Sequence, residues 1–223
     1  MVILSFYLEQ NECFVSLETG HRRVNDSLKI EAGQTQGMVL VPFIEKVWKG
    51  ACAPPIALLM APKGPGAFTN IRVTLATAQG LSLAFPEAHI FSPTNFDVLA
   101  HAAQMQTKDP VIVLIDSKKG SFYGQVFKEC LGEPPGEYTF HQLRDLLKAH
   151  PDMKVISDYP SPNEIFFEDR WISHNENLAA CQIDLYNISA LKNAPECETF
   201  EPYYLYLPDY VKSGKHKNTT YFS

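Results

Sequence analysis

The stretch from Lys63 to Phe85 constrains the fold more than any other part of this 223-residue chain. A short apolar run, Ile56–Met60, comes just before it and is typical of a buried strand. The sequence Gly64-Pro65-Gly66 then turns the chain, and we expect a helix of about five turns to follow. Thr69 is predicted to be its N-cap, because a threonine hydroxyl accepts backbone N–H groups at a helix start.

Small residues recur on one side of this predicted helix. Ala76, Gly80 and Ala84 stand four residues apart, so another backbone could approach closely along that side. A glycine inside a helix costs about 1 kcal/mol relative to alanine. Gly80 therefore indicates close packing, either against another subunit or against the sheet of its own chain.

The same stretch, GPGAFTNIRVTLATAQGLSLA, resembles the GPGSFTGLR…A.GLA signature of the TsaB family. It departs from the signature at Ala67, where serine is usual, and at Asn70, where glycine is usual. The resemblance is clearest over residues 33–85. Two weaker matches follow: DSKKGSFYGQVF resembles the family's DARMGEVYWA segment, and residues 202–207 resemble its closing P.YLR segment.

The resemblance implies a function. TsaB proteins are non-catalytic partners of TsaD, which makes threonylcarbamoyladenosine on tRNA next to the anticodon. It also implies a TsaE-like ATPase as a further partner, contact with tRNA only through the complex, and a homodimer when the protein is alone. In the family, two helices of each partner form a four-helix contact. The candidate contact residues carried over to this chain are Met38, Val41, Ile44, Glu45, Phe68, Thr69, Arg72, Val73, Ala76 and Gly80.

The order of predicted elements agrees with an actin-like, ribonuclease-H-like α/β fold of two lobes, each a mixed sheet with helices. Three strands within residues 2–30 are followed by a helix at about 35–48, kinked or started late by Pro42. The strand before Gly64, the helix after it, a short strand and a helix at 95–105 complete the first half. We expect an N-terminal lobe over residues 1–108 and a smaller or degenerate lobe over residues 109–223.

Charge and hydropathy limit the possible partners and location. The formal net charge of −6 argues against a broad electropositive surface for the phosphates of tRNA. The one basic cluster, Lys212–Lys217, is either a solvated tail or a nucleic-acid arm. No apolar run is long enough to cross a bilayer, and the N-terminus has no basic region typical of a signal peptide. We therefore expect a cytoplasmic protein without membrane contact.

The cleft between the lobes is predicted to lack the residues that bind metal and nucleotide in actin-like enzymes. Actin-like enzymes place an acid after the first strand to help hold metal and phosphates, but Tyr7 stands there, and Glu9 is two residues away. Asp116 ends a buried strand, where it either matches a second phosphate-loop acid or bonds its own turn. No Gly-Gly pair for adenosine follows in residues 156–160. The expected cofactor is none.

Metal and nucleophile patterns are missing from the sequence. The seven histidines are widely spread, and no two stand four apart as in the HxxxH pair of TsaD. The five cysteines form no CxxC pair, so reduced thiols are expected. There is no GxSxG elbow. The turn at Gly64–Gly66 could bind an anion, but Pro65 removes one N–H donor, and helix entry is the favoured role.

Two alternatives stay open at this stage. The first is an ATP-binding, actin-like-fold enzyme that transfers a carbamoyl or phosphoryl group. The missing acidic and histidine positions count against it. The second is a self-associating relative that has left the tRNA pathway, since motif matches are sparse after residue 128.

Overall fold

A computed structural model describes residues 1–128, 131–158, 170–174, 176–191 and 200–205 of the chain. Within these ranges the strands are β1 (Ile3–Leu8), β2 (Glu12–Thr19), β3 (Arg22–Lys29), β4 (Leu58–Met60), β5 (His89–Phe91), β6 (Val111–Asp116), β7 (Phe122–Lys128), β8 (Leu131–Gly132), β9 (Gly136–Tyr138) and β10 (Lys154–Ser157). The helices are α1 (Gln36–Gly50), α2 (Phe68–Ala84), α3 (Asn95–Gln104), α4 (Phe140–Ala149) and α5 (Leu178–Leu191).

The first sheet has the strand order β3-β2-β1-β4-β5. β1, β2 and β3 form an antiparallel meander, whose first turn is closed by a 2.9 Å bond from the Glu9 N–H to the Glu12 carbonyl. β4 and β5 run parallel to β1, because helices supply the crossovers that parallel strands need. We call this sheet with α1 and α2 the first lobe.

β1 is buried on both of its faces, since successive side chains of a strand point to opposite sides. Leu4 and Phe6 belong to the core formed with α1 and α2. Ile3 and Tyr7 point the other way, toward the cores that contain α5 and α3. The meander and the two layers of helices thus enclose β1 completely.

The second sheet has the order β10-β6-β7-β8, with β9 also paired to β7. Ile112 and Leu114 of β6 face the core that contains α4, and we call this sheet with α4 the second lobe. Val111, Val113 and Ile115 face a different core, which also contains Tyr7 and side chains of α3 and α5. α3 and α5 therefore lie in a core that the two sheets share.

The predicted actin-like α/β class is confirmed, with two mixed sheets and flanking helices. The first half also has the predicted β-β-β-α-β-α order. We propose the boundary between residues 108 and 109 because the first sheet ends at Phe91 and the second begins at Val111. α5 returns across this boundary and packs on β1 and β2.

The predicted start of α2 was wrong. Thr69 lies inside α2, and the N-cap is Ala67, whose side chain makes no capping bond. α5 begins at Leu178, because the Asn177 side chain accepts the Ala180 N–H at 3.0 Å and caps the helix there. α1 starts at Gln36 and continues through Pro42, so Pro42 does not delay the start.

No helix among the described residues is long and apolar enough to cross a membrane. Several sequence predictions fall outside those residues. They concern residues 159 and 160 of the segment without a Gly-Gly pair, Cys130, Cys197, residues 206 and 207 of the closing motif, and the basic cluster at 212–217.

Candidate functional site

α1 carries an exposed apolar edge beside its buried stripe. Val39, Leu40, Phe43, Ile44 and Val47 point into the core of the first lobe. Because a helix turns every 3.6 residues, Met38 and Val41 are left on the outer side. Met38 is 64% exposed and Val41 is 50% exposed.

Two of the predicted contact residues on α1, Ile44 and Glu45, do not belong to this exposed apolar edge. Ile44 is only 4% exposed, so it packs on the sheet and offers no surface to a partner. Glu45 is exposed, and its Oε1 atom lies 2.5 Å from Lys49 Nζ in an ion pair within the helix. A partner that used Glu45 would have to share it with Lys49.

α2 exposes the small residues that the sequence singled out. Its buried side chains are Ile71, Thr74, Leu75 and Ala78, which leaves Thr69, Arg72, Ala76 and Gly80 outside. Among the described residues, no heavy atom outside the backbone of α2 itself lies within 4 Å of where a Cβ on Gly80 would stand. The sheet of the first lobe therefore does not pack against Gly80.

Leu83 lies on the same outer side of α2 and is 85% exposed. The sequence analysis missed it, although its helical spacing from Ala76 and Gly80 was a usable signal. α1 and α2 are in contact, so Met38, Val41 and Leu83 belong to one pair of adjacent helices. We call the outer surface of these two helices the α1–α2 face.

The N-terminal end of α2 is aromatic. Arg72 places its guanidinium carbon 3.9 Å from the ring centroid of Phe68, a cation–π contact. Phe68 also lies against Tyr204, with ring centroids 5.8 Å apart. Phe68 and Val73 are half-buried, so each gives only part of its surface to the α1–α2 face.

A cleft lies between the two lobes. Its lining includes Tyr7, Glu9, Gly66, Asn95, Lys118 and Asp158. Its cavity volume is about 30 Å³. Pockets for small-molecule ligands occupy roughly 300–1,000 Å³, and one water takes about 30 Å³ of liquid. In this conformation the cleft has room for water rather than for a nucleotide.

Tyr7 fills the position where the fold usually places an acid. It is 1% exposed, and its hydroxyl has no hydrogen-bond partner among the described residues. Burial, together with the nearby carboxyls of Glu9 and Asp158, raises its pKa well above the ordinary value. The phenol stays protonated and cannot act as a carboxylate ligand to magnesium.

Burial raises the pKa of both carboxyls that line the cleft. Burial, and then repulsion from Asp158 and Glu12, raises the pKa of Glu9 to about 8. Burial is also the main cause that raises the pKa of Asp158 to about 7. His174 Nε2 lies 3.3 Å from Glu9 Oε1, but burial lowers the pKa of His174. Their contact at neutral pH therefore joins two mostly uncharged groups.

Asp116 performs the turn role. Its Oδ1 accepts the Lys118 N–H at 2.7 Å, and its Oδ2 lies 2.8 Å from Lys118 Nζ. The same ammonium group donates to Gln10 Oε1 at 3.3 Å, which joins the two lobes across the cleft. The Asp116 N–H donates to Asp158 Oδ1 at 3.0 Å. Asp116 and Asp158 are thus both engaged in local structure.

Carbonyl groups at the Gly64–Gly66 turn bond to other parts of the chain. The Gly64 carbonyl accepts the Asn95 N–H at 2.8 Å, and the Lys63 carbonyl accepts the Tyr203 N–H at 2.8 Å. These bonds hold the turn as the entrance to α2. Among the described residues, no group of three or more histidine, cysteine, aspartate or glutamate side chains is arranged to hold a metal ion.

Comparison with known proteins places this geometry in context. The model of the family described as "TsaD: tRNA N6-adenosine threonylcarbamoyltransferase" matches residues 39–177. The "tRNA threonylcarbamoyladenosine biosynthesis protein TsaB" of Buchnera aphidicola subsp. Baizongia pistaciae (strain Bp) is 29% identical over 124 residues, which cover 54% of this chain and 55% of that protein. The protein of the same name from Haemophilus influenzae is 25% identical over 167 residues, covering 70% and 69%. The chain spans just over half the length of the two Buchnera relatives it matches.

Solved structures share the fold. YeaZ from Pseudomonas aeruginosa superposes with a TM-score of 0.71 at 18% identity, covering 92% of this chain and 99% of that one. A second structure, described as an uncharacterized protein with similarity to peptidase YEAZ from Pseudomonas aeruginosa, gives a TM-score of 0.73 at 17% identity with the same coverage.

Proposed function

Because the chain belongs to the TsaD family of tRNA N6-adenosine threonylcarbamoyltransferases, and its curated relatives carry the name TsaB, we propose that it is a non-catalytic subunit in threonylcarbamoyladenosine biosynthesis. Its direct partner is a TsaD-type catalytic subunit. A TsaE-type ATPase joins the pair, and tRNA is reached only through the complex. Alone, the chain forms a homodimer through the same surface.

The observation that carries the proposal is the α1–α2 face. Large apolar side chains are exposed on both helices, Met38 and Val41 on α1 and Leu83 on α2, and α2 also exposes the small residues Ala76 and Gly80, which another helix can approach. Burying apolar surface contributes about 25 cal/mol per Å². Arg72 adds a group able to make charge-assisted bonds to a partner carboxylate. Exposed apolar surface of this kind on adjacent helices is typical of an interaction site.

The non-catalytic part of the proposal is supported by the cleft. Tyr7 replaces the acid, Asp116 and Lys118 bond each other, and the cavity is of water size. The subunit would then act on catalysis only by binding one conformation of its partner more tightly than another, which shifts the partner's population toward that conformation. The net charge of −6 supports leaving tRNA binding to the rest of the complex.

The test is to block the α1–α2 face and measure pairing. We expect Ala76→Trp to abolish binding to the TsaD-type subunit from the same organism, measured by titration calorimetry and gel filtration. The matched control is Ala149→Trp, an exposed alanine at the end of α4 in the second lobe. Circular dichroism should show both variants folded. Wild-type affinity for Ala76→Trp would overturn the proposal.

One observation favours a second candidate, an ATP-binding transferase. The cleft still holds the carboxyls of Glu9 and Asp158, and an opened cleft with a cation present would ionise them. Calorimetric titration of the isolated protein with ATP and magnesium separates the two functions. Stoichiometric binding that is lost in Asp158→Asn would favour the transferase, and a flat titration would favour the non-catalytic subunit.

A further inference from the structure

A short segment near the C-terminus returns to the first lobe and is tied to α2. We call residues 200–205 the C-terminal strap. The Phe200 carbonyl accepts the Gln79 side-chain amide at 3.1 Å, halfway along α2. The Tyr203 N–H donates to the Lys63 carbonyl at 2.8 Å, just before the turn that starts α2. The strap is therefore bonded at two points along the path of the helix.

Packing adds to these bonds. Phe200 is 2% exposed and lies in the core that contains the buried stripes of both α1 and α2. At Gly64, φ is +105°, and a Cβ there would stand 2.8 Å from the Tyr203 carbonyl oxygen. Only glycine lets the strap come this close, so the turn and the strap are fitted to each other.

The strap also contributes an aromatic ring beside the α1–α2 face. Tyr204 is half-buried and packs on the Phe68 ring, over which Arg72 lies. Phe68 and Arg72 both belong to the first turns of α2, at one end of the face. Aromatic and arginine side chains that are held rigidly carry much of the energy in protein interfaces.

We propose that the C-terminal strap is the third element of the partner-binding surface, and that Tyr204 makes contact with the TsaD-type subunit. This inference rests on the proposed function and deepens it. Gln79 is a positioning residue, because its bond to Phe200 fixes the strap against α2. The closing motif of the sequence, which the α1–α2 face alone does not explain, thereby gains a role in binding.

The experiment measures affinity for the TsaD-type subunit by titration calorimetry. We expect Tyr204→Ala to weaken binding about tenfold. Tyr204→Phe should bind like the wild type, because the ring and its packing remain. The matched control is Phe140→Ala, since Phe140 is a partly exposed aromatic residue of the second lobe that also packs on another ring, that of Phe122. It should lose stability without losing affinity.

Gln79→Leu tests the positioning role separately. It removes the donor to the Phe200 carbonyl, and we expect faster hydrogen exchange at the Tyr203 amide together with weaker binding. Tyr204→Ala binding as tightly as Phe140→Ala would overturn the inference. A different result would refute the proposed function, namely wild-type affinity of Ala76→Trp for the TsaD-type subunit. If Ala76→Trp fails to bind the TsaD-type subunit while Tyr204→Ala binds it with wild-type affinity, only the role of the strap is refuted.

Discussion

Glu9 and Asp158 line the same cleft from opposite lobes, and burial raises the pKa of both carboxyls. Glu9 follows β1 of the first sheet, and Asp158 follows β10 of the second. The Asp158 carboxyl also opposes ionisation of Glu9. Asp158 and Glu12 repel the ionised form of Glu9, and burial lowers the pKa of His174, which lies 3.3 Å from it. The Lys118 ammonium lines the same cleft but is paired with Asp116.

This relationship predicts that stability falls as the pH rises. The ordinary pKa of Glu9 is 4.5 and the folded value is about 8, so the unfolded chain releases a proton that the folded chain keeps. The contribution of Glu9 to the free energy of unfolding is fully present below about pH 4.5 and is lost progressively between that pH and about pH 8. Urea unfolding at several pH values should show the decline in the wild type and a flatter profile in Glu9→Gln.

The control for this measurement is Glu87→Gln, which neutralises an exposed glutamate on the loop after α2. It should follow the wild-type profile. A Glu9→Gln profile as steep as that of the wild type would show that Glu9 is ionised in the folded chain, contrary to the buried geometry.

The start of α2 gives a prediction about capping. Ala67 occupies the N-cap position without a side-chain bond, where the resembling signature has serine. Ala67→Ser should therefore stabilise the chain by about 0.5–1 kcal/mol, because a hydroxyl there can accept an unpaired backbone N–H. Thr69→Ala should change the free energy of unfolding by less than about 0.5 kcal/mol, since Thr69 is an exposed position inside the helix.

Thr94→Ala is the reference for the capping experiment. Thr94 and Asp97 form a complete capping box at α3, so removing its hydroxyl should cost about 1 kcal/mol. Denaturant unfolding of the three variants measures how much each position contributes to capping. Destabilisation by Thr69→Ala equal to that of Thr94→Ala would mean that the helix starts two residues later than described.

The elements were predictable where the signal is local. Apolar runs gave the strands, and the 3.6-residue period gave the helices. Ile44 stands at helical spacing from Leu40 and Val47, a pattern that points to the core. Ile44 was nevertheless carried over as a contact because the resemblance was applied to a whole segment. Leu83 was missed because the carried-over residues stopped at Gly80.

The cleft could not be read from the sequence in the same way. Glu9 and Asp158 are far apart in the sequence, and their burial in one cleft depends on how α3 and α5 bring the two sheets together. The cap of α2 was misplaced for a simpler reason, since helix boundaries from sequence are uncertain by a few residues. The contact of the strap with α2 is likewise a product of tertiary packing.

Gly80 and Gly64 predict opposite effects of the same substitution. Gly80→Ala should stabilise the chain by roughly 0.5–1 kcal/mol, because the added Cβ meets no neighbouring atom in the described part of the chain and the helix loses a flexible residue. Gly64→Ala should destabilise it, because φ is +105° and the Cβ would collide with the Tyr203 carbonyl. Urea unfolding of both variants checks this. A stabilising Gly64→Ala would contradict the described fit of turn and strap.

The exposed Leu83 predicts how the isolated protein associates. If the α1–α2 face pairs with a second copy of itself, the wild type should be a dimer by light scattering at micromolar concentration. Leu83→Lys should be a monomer at the same concentration, because a charge buried at an interface without a partner is strongly unfavourable. The matched control is Leu131→Lys on β8 of the second lobe, where the leucine is also largely exposed. It should remain a dimer, and a dimeric Leu83→Lys would place self-association on another surface.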